Sequence, residues 1–354
     1  MTNKSVRGGA YLKRILMKIQ LSHNFKDIVS IENLLEAWRE FVKGKRNKRD
    51  VQEFSLRLID NILQLQEDLA NHTYQHGGYK AFNISDPKPR NIHKASVRDR
   101  LLHHALYRIL YPFFDKTFIS DLYSCRLGKG THRAINRFRA FAHKVSENHT
   151  KTVWVLKCDI KKFFASIDQA VLIEIIEEYI PDRDIQWLTS QIVGSFYSTR
   201  RGIGLPLGNL TSQLLVNVYM NRFDQFMKHK LKVRYYIRYA DDFVVLSEDK
   251  KLLESMLLRI SDFLWSNLCL QLHPDKTFIQ TVASGVDFLG WIHFPDHRVL
   301  RTVTRRRMFR GISGIKSKRG NMVTIQSYLG LLNHGNTSKL QGRVREWLVQ
   351  NGEQ

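Results

Sequence analysis

Residues 238–247 read RYADDFVVLS. Asp241 and Asp242 stand side by side between VRYYIRYA and FVVLS, two runs whose apolar, β-branched and aromatic content predicts paired strands. Adjacent carboxylates repel each other, and each costs free energy when water is taken from it. A bare turn explains most Asp-Asp pairs, so this pair gains meaning only from its surroundings. A third acid supplies them. Asp159 ends VWVLKCD (153–159), an apolar run that predicts a buried strand. If that strand lies beside the 236–246 hairpin, three carboxylates gather at one edge of a sheet. Divalent cations relieve such repulsion, and hard oxygen ligands suit Mg²⁺. Two such ions about 3.5–4 Å apart serve phosphoryl and nucleotidyl transfer.

Outward from this centre the pattern is α+β. Ser30 is placed to cap a helix through IENLLEAWREFVKG, with Gly44 to end it, and VQEFSLRLIDNILQLQEDL predicts a second helix. KAFNISDPKPRNIHKAS predicts strands. VRDRLLHHALYRILYPFF repeats apolar residues at helical spacing, with Pro112 near its end, and CRLGKGTHRA opens another helix. Asp168 caps QAVLIEIIEEYI, a long helix runs from about Leu210 to Lys230, and KKLLESMLLRISDFLWSNL follows the hairpin. Short strands are expected around VDFLGWIHF. The central order β-α-β-β-α-β predicts an antiparallel sheet with helices on one face.

The chain has 354 residues, 43% of them hydrophobic, so a real core is expected rather than disorder. It carries 56 Lys and Arg against 33 Asp and Glu, a net charge of +23, which points to a polyanionic partner, nucleic acid before anionic membrane. No apolar run approaches the roughly 20 residues that span a bilayer, and MTNKSVRGGAYLKRILMK lacks the apolar block of a signal peptide. Three scattered cysteines, Cys125, Cys158 and Cys269, form neither a disulfide framework nor a zinc pattern, so a reduced, cytoplasmic setting is expected. Between Asp296 and Glu346 lie twelve Lys or Arg and no acid, densest in RTVTRRRMFRGISGIKSKR. A short charged run is usually only a solvated face. This longer one predicts contact with nucleic-acid backbone, through Arg305, Arg306, Arg307 and Arg310.

RYADDFVVLS resembles the YxDD box of reverse transcriptases, and CDIKKFFASID (158–168) their first catalytic motif. DPKPRNIHKASVRDRLLHHAL resembles their fingers motifs, SCRLGKGTHRAI the next block and VDFLGW the primer-grip hairpin, all in the family's order from about residue 80 to 295. The resemblance implies a right-hand polymerase fold: a helical N-terminal extension over 1–78, fingers over 79–150, a palm over 151–298 with a fingers segment at about 170–205, and a basic helical thumb over 299–354. It implies RNA-directed DNA synthesis with two Mg²⁺ ions, Mn²⁺ as a substitute, dNTPs as substrates, and a template RNA and RNA–DNA hybrid as partners.

Roles carry over position by position. Asp159 and Asp241 match direct metal ligands, Asp242 the third acid, and Ile160 a residue whose carbonyl reaches a metal. Phe164 matches the aromatic that excludes a 2′-hydroxyl, whereas Phe163 is expected in the core. Arg90 matches the arginine that grips the triphosphate, with Lys80 or Lys88 assisting, and Lys276 in LHPDKTF a lysine near the pyrophosphate. Gly208 allows close backbone approach to the nucleotide, and Gln213 reads the template strand or stands in for a helix cap. His103 and His104, adjacent on a helix, face different ways and are read as structural.

GLPLGNLTSQ (204–213) narrows the resemblance. Most reverse transcriptases carry Gln-Gly and then Ser-Pro here; this chain has Leu207-Gly208 and Ser212-Gln213. That pairing resembles the enzymes of diversity-generating retroelements, which misincorporate opposite template adenines during mutagenic retrohoming and work with a small basic accessory protein. Leu207 as plain packing, with no effect on fidelity, is the alternative. Two rival functions remain: a defence-associated or group II intron-like bacterial enzyme, and a non-catalytic RNA-binding scaffold. Nothing in the sequence resembles an RNase H or endonuclease domain.

Overall fold

The computed structural model describes residues 19–85, 89–314 and 318–352. The expectations for residues 1–18 and for Lys88 fall outside these. In chain order the elements are α1 (Phe25–Val29), α2 (Ile31–Phe41), α3 (Arg49–Ser55), α4 (Leu58–Ala70), β1 (Lys80–Ile84), β2 (Arg90–Lys94), α5 (Val97–Thr117), α6 (Thr131–Val145) and β3 (Trp154–Asp159). Then follow α7 (Phe163–Ser166), α8 (Gln169–Tyr179), α9 (Arg183–Gly194), α10 (Leu210–Gln225), β4 (Tyr236–Tyr239), β5 (Asp242–Ser247), α11 (Lys250–Leu268) and β6 (Phe278–Thr281). The last elements are β7 (Val286–Phe288), β8 (Trp291–His293), β9 (Arg298–Leu300), α12 (Thr302–Ser313), α13 (Lys318–Leu332) and α14 (Ser338–Gly352). Helices and antiparallel sheets make an α+β protein, as the sequence predicts.

Several helix starts follow the capping chemistry of the sequence. Ser30, Ser96, Asp168 and Asp182 each accept a bond from a first-turn amide, which satisfies donors the helix itself leaves open. One expectation needs correction. VQEFSLRLIDNILQLQEDL is not one helix: Arg57 (φ −126°, ψ 44°) breaks it into α3 and α4. Pro112 lies inside the C-terminal part of α5, which continues to Thr117.

The chain forms two compact units. The first comprises residues 1–119, 161–226 and 263–271. Its core is helical, and a buried amide locks part of it: Asn33 Nδ2 donates to the carbonyls of Ile28 and Ala105 (2.8 and 3.2 Å), and its Oδ1 accepts from Arg108 Nε (3.0 Å). The β1–β2 hairpin belongs to this unit, with Ile84 opposite Arg90.

The second unit comprises residues 120–160, 227–262 and 272–354. It holds a four-stranded antiparallel sheet in the order β4-β5-β3-β6 and the β7-β8-β9 meander. One core joins α6 (Phe138, Phe141) to Val155, Ile237, Val244 and Leu246 of the sheet and Val286 and Phe288 of the meander. A second packs Trp291 and Leu300 against Met308, Ile312, Ile325, Leu332 and Val344 of the three terminal helices. Among the described residues no helix is long and apolar enough to cross a membrane.

Candidate active site

The acids sit where β3 and β5 pair. Asp159 is directly opposite Asp242 in the antiparallel register, so both side chains leave the same face of the sheet. Asp241 lies in the turn before β5, and its carbonyl accepts from the Ile160 amide at 3.1 Å. The turn is tight: Ala240 takes φ +55°, a left-handed conformation uncommon for a residue with a Cβ. It is braced from beneath. Ala240 N–H donates to Ser124 Oγ (2.8 Å), and the fully buried Arg238 donates through Nη1 to the Ala240 carbonyl (3.1 Å). Arg238 is in turn strapped to the 121–123 segment by backbone bonds to Asp121 and Tyr123, 3.0 Å each. The sequence reading missed Arg238, Ser124 and Asp121. Their signal was faint: an arginine within an otherwise apolar strand and a serine in SCRLGKG.

Two lysines offset the acids. Lys276 Nζ is 2.9 Å from Asp159 Oδ1, and Lys157 Nζ is 3.5 Å from Asp242 Oδ2. The Asp159 carbonyl also accepts from the His273 amide (2.7 Å), which fixes the turn that carries Lys276. Burial pushes the Asp242 carboxyl up to about 7; Lys157 pulls it back in part, and the neighbouring Asp159 and Asp241 add to the rise. Asp242 Oδ1 is buried without a hydrogen-bond partner. A sealed, unpartnered carboxylate oxygen beside two more acids fits a hard cation such as Mg²⁺. The fit is in donor type more than in spacing, since among the described residues no three acids, histidines or cysteines stand close enough to form a finished cage.

Of the expected nucleotide residues, Lys276 lies in the second unit, and Arg90, Phe164, Leu207, Gly208 and Gln213 lie in the first. Loop 203–209 is laced to its neighbours there: Gly204 N–H donates to Ile167 O (2.7 Å), Leu205 N–H to Phe164 O (2.8 Å), and His93 N–H to Leu207 O (3.0 Å). Asn209 Nδ2 returns a bond to His93 O at 3.1 Å. Gly208 has φ +108°, and a Cβ there would come within 2.7 Å of Ile92 Cγ2. Gln213 lies in the first turn of α10. Phe163 is buried, as expected, and Phe164 is half-buried; residues 163–166 form a helical turn after a left-handed Lys162. Arg90 is exposed at the start of β2, and Lys80 is exposed on β1. His103 is fully buried, with Nε2 3.2 Å from His76 Nε2. Arg305, Arg306 and Arg310 are exposed on α12, and Arg307 is half-buried.

A family model described as "Reverse transcriptase (RNA-dependent DNA polymerase)" matches residues 84–293. Protein YkfC of Escherichia coli is 26% identical over 74% of this chain and 77% of its own length. The group II intron-encoded protein LtrA of Lactococcus lactis is 20% identical over 70% of this chain and 51% of its own. A putative COX1/OXI3 intron 2 protein of Saccharomyces cerevisiae is 19% identical over 61% of this chain. The chain therefore spans about three quarters of YkfC but only 30% of that yeast protein.

Proposed function

The chain belongs to the reverse transcriptase family of RNA-directed DNA polymerases, and from that premise we propose that Asp159, Asp241 and Asp242 are its catalytic acids. The observation that carries this is the register pair Asp159–Asp242 with a buried, unpartnered Asp242 oxygen. These three carboxylates and the Ile160 carbonyl would hold Mg²⁺ or Mn²⁺. Such ions, when bound, activate a 3′-hydroxyl and stabilise a leaving pyrophosphate.

The protein's own groups do the positioning. Lys157 and Lys276 offset the mutual repulsion of the acids, and Lys276 is also the group that meets the departing pyrophosphate. The planar fork of Arg90 grips triphosphate oxygens in pairs. Phe164 excludes a 2′-hydroxyl and so selects dNTPs. Gly208 lets the backbone approach the nucleotide, and Gln213 contacts the template. Arg305, Arg306, Arg307 and Arg310 hold the RNA–DNA hybrid by its phosphates.

Within the family we place the chain with the enzymes of diversity-generating retroelements, on Leu207 and Gln213. Leucine packs where glutamine would hydrogen-bond, so a polar check on base-pair alignment is lost. Copying of a template RNA with errors opposite adenine, together with a small basic accessory protein, follows from this placement. A group II intron-like role is the second reading, favoured by the likeness to LtrA.

The test is Mg²⁺-dependent dNTP incorporation on primed RNA. Asp241→Asn abolishes it; equal activity in the two proteins removes Asp241 from catalysis.

A further inference from the structure

Behind the β8–β9 turn the second unit encloses a cavity of about 420 Å³, lined among others by Asn136, Arg139, Phe294, His297, Arg298 and His334. It is built rather than incidental. Arg298 donates through Nε to the His334 carbonyl and through Nη2 to Asn136 Oδ1 (2.7 Å), so its guanidinium is fixed from both sides. The Asn336 amide donates to the Arg298 carbonyl at 2.8 Å. Loop 333–336 packs so closely that a Cβ on Gly335 would lie 2.1 Å from the Trp291 ring.

The cavity is electrostatically incomplete. Arg298 has no carboxylate partner among the described residues, and its Nη1 is buried with no hydrogen-bond acceptor. Arg139 makes no ion pair among the described residues; burial first, and Arg139 second, disfavour the charge on Arg298. His132 stacks on His334 with ring centroids 3.6 Å apart. Asp296 is the acid in the lining, and it is exposed and bonded to His297 Nδ1 at 2.8 Å. A buried donor without an acceptor is destabilising, more so when charged, and an anion between the two arginines removes that cost. The Phe294 and His297 rings stack in parallel at 4.8 Å, and both residues line this cavity. Paired guanidiniums with an adjacent ring stack are the chemistry of a nucleotide in an unpaired strand: phosphate on the arginines, base on the rings.

We propose that this cavity binds one nucleotide of single-stranded RNA, its phosphodiester between Arg139 and Arg298 and its base against Phe294 and His297. RNA as the source of the phosphate rests on the polymerase reading; the anion site does not. The site lies at the β8–β9 end of the meander, whereas the VDFLGW turn that resembles the primer grip lies at the other end.

The test uses the full chain without dNTPs. A 12-nucleotide RNA carrying 4-thiouridine is crosslinked and the adducts are mapped by mass spectrometry, while binding is titrated against salt. Adducts are expected at 294–297 or 333–336. Arg139→Gln, an exposed side chain without a structural bond, lowers affinity roughly threefold to tenfold and the slope of log affinity against log salt by about 0.7, one phosphate contact on a single strand. Arg139→Lys keeps most of both. No adduct in these segments, or an unchanged slope in Arg139→Gln, overturns the proposal. Loss of the adducts at 5 mM inorganic phosphate under constant ionic strength, with the oligonucleotide still bound, assigns the site to free phosphate and overturns it as well. Asp241→Asn serves as the control: adducts in that variant beside an active polymerase would sink the catalytic assignment alone.

Discussion

Gly208→Ala isolates how the fold sets the nucleotide loop. Gly208 has φ +108°, where a Cβ is strained, and the added methyl would meet Ile92 Cγ2 at 2.7 Å. The backbone part costs about 1–3 kcal/mol. The overlap adds about 1 kcal/mol, at the low end for overpacking, because Ile92 is only half-buried and its methyl can shift. The expected loss is roughly 2–4 kcal/mol. It falls on a strap with two bonds, His93 N–H to Leu207 O and Asn209 Nδ2 to His93 O, so the damage is local before it is global. Hydrogen exchange at the His93 amide reads the strap directly, urea unfolding reads stability, and the KM for dNTP reads the loop. Ile92→Ala removes the clashing methyl but leaves the strained φ. It is therefore expected to cost about 1 kcal/mol less in the Gly208→Ala background than alone. Unchanged His93 protection in Gly208→Ala, or strict additivity in the double variant, would refute the reasoning.

Other outcomes follow from the same geometry. Leu207→Gln is expected to lower misincorporation opposite template adenine, read by sequencing cDNA from both proteins; an identical error spectrum means the leucine only packs. Burial pushes His103 and His293 down to about 3, so both stay neutral in the fold while the unfolded chain takes up protons below about 6.5. Stability is therefore full above about 6.5 and falls with pH by up to roughly 1.4 kcal/mol per unit for each histidine; urea midpoints from pH 7 to 5 measure this, and His103→Gln flattens the profile. Arg305→Gln with Arg306→Gln is expected to reduce the salt slope for a primed hybrid by up to about 1.8, two phosphate contacts, with little change in unfolding.

The sequence made some levels of this protein legible and hid others. Strand and helix positions were readable wherever apolar period and caps agreed, as at Asp168 and at β3. The pairing of Asp159 with Asp242 was readable only in outline, because register depends on strands far apart in the chain. The break at Arg57 was invisible, since LRLIDNIL keeps helical period across it. Arg238 was hidden for a related reason. An arginine in a strand predicts an exposed face, and only three-dimensional placement turns it into a buried brace. The lysine partners were half-legible: Lys276 came from resemblance, but Lys157 looked like an ordinary interruption of an apolar strand.

Those lysines bear on why the acidic turn folds at all. Asp242 is sealed on one oxygen, its carboxyl is raised to about 7, and Ala240, two residues before it, holds a strained φ. Each feature disfavours the fold, and all of them fall on Ala240 and Asp242. What opposes them is fixed structure: six register pairs between β3 and β5, the Arg238 and Ser124 braces on Ala240, and a cation facing each of Asp159 and Asp242. The bracing bonds act on the backbone and leave the carboxylate oxygens to other partners. An arrangement selected for stability alone would place apolar residues at these positions, because a buried charge pair seldom outperforms good packing. The costly groups converge on one sheet face while their supports lie on the backbone, which is the distribution expected of a site held ready for charge rather than of a turn that merely reverses the chain.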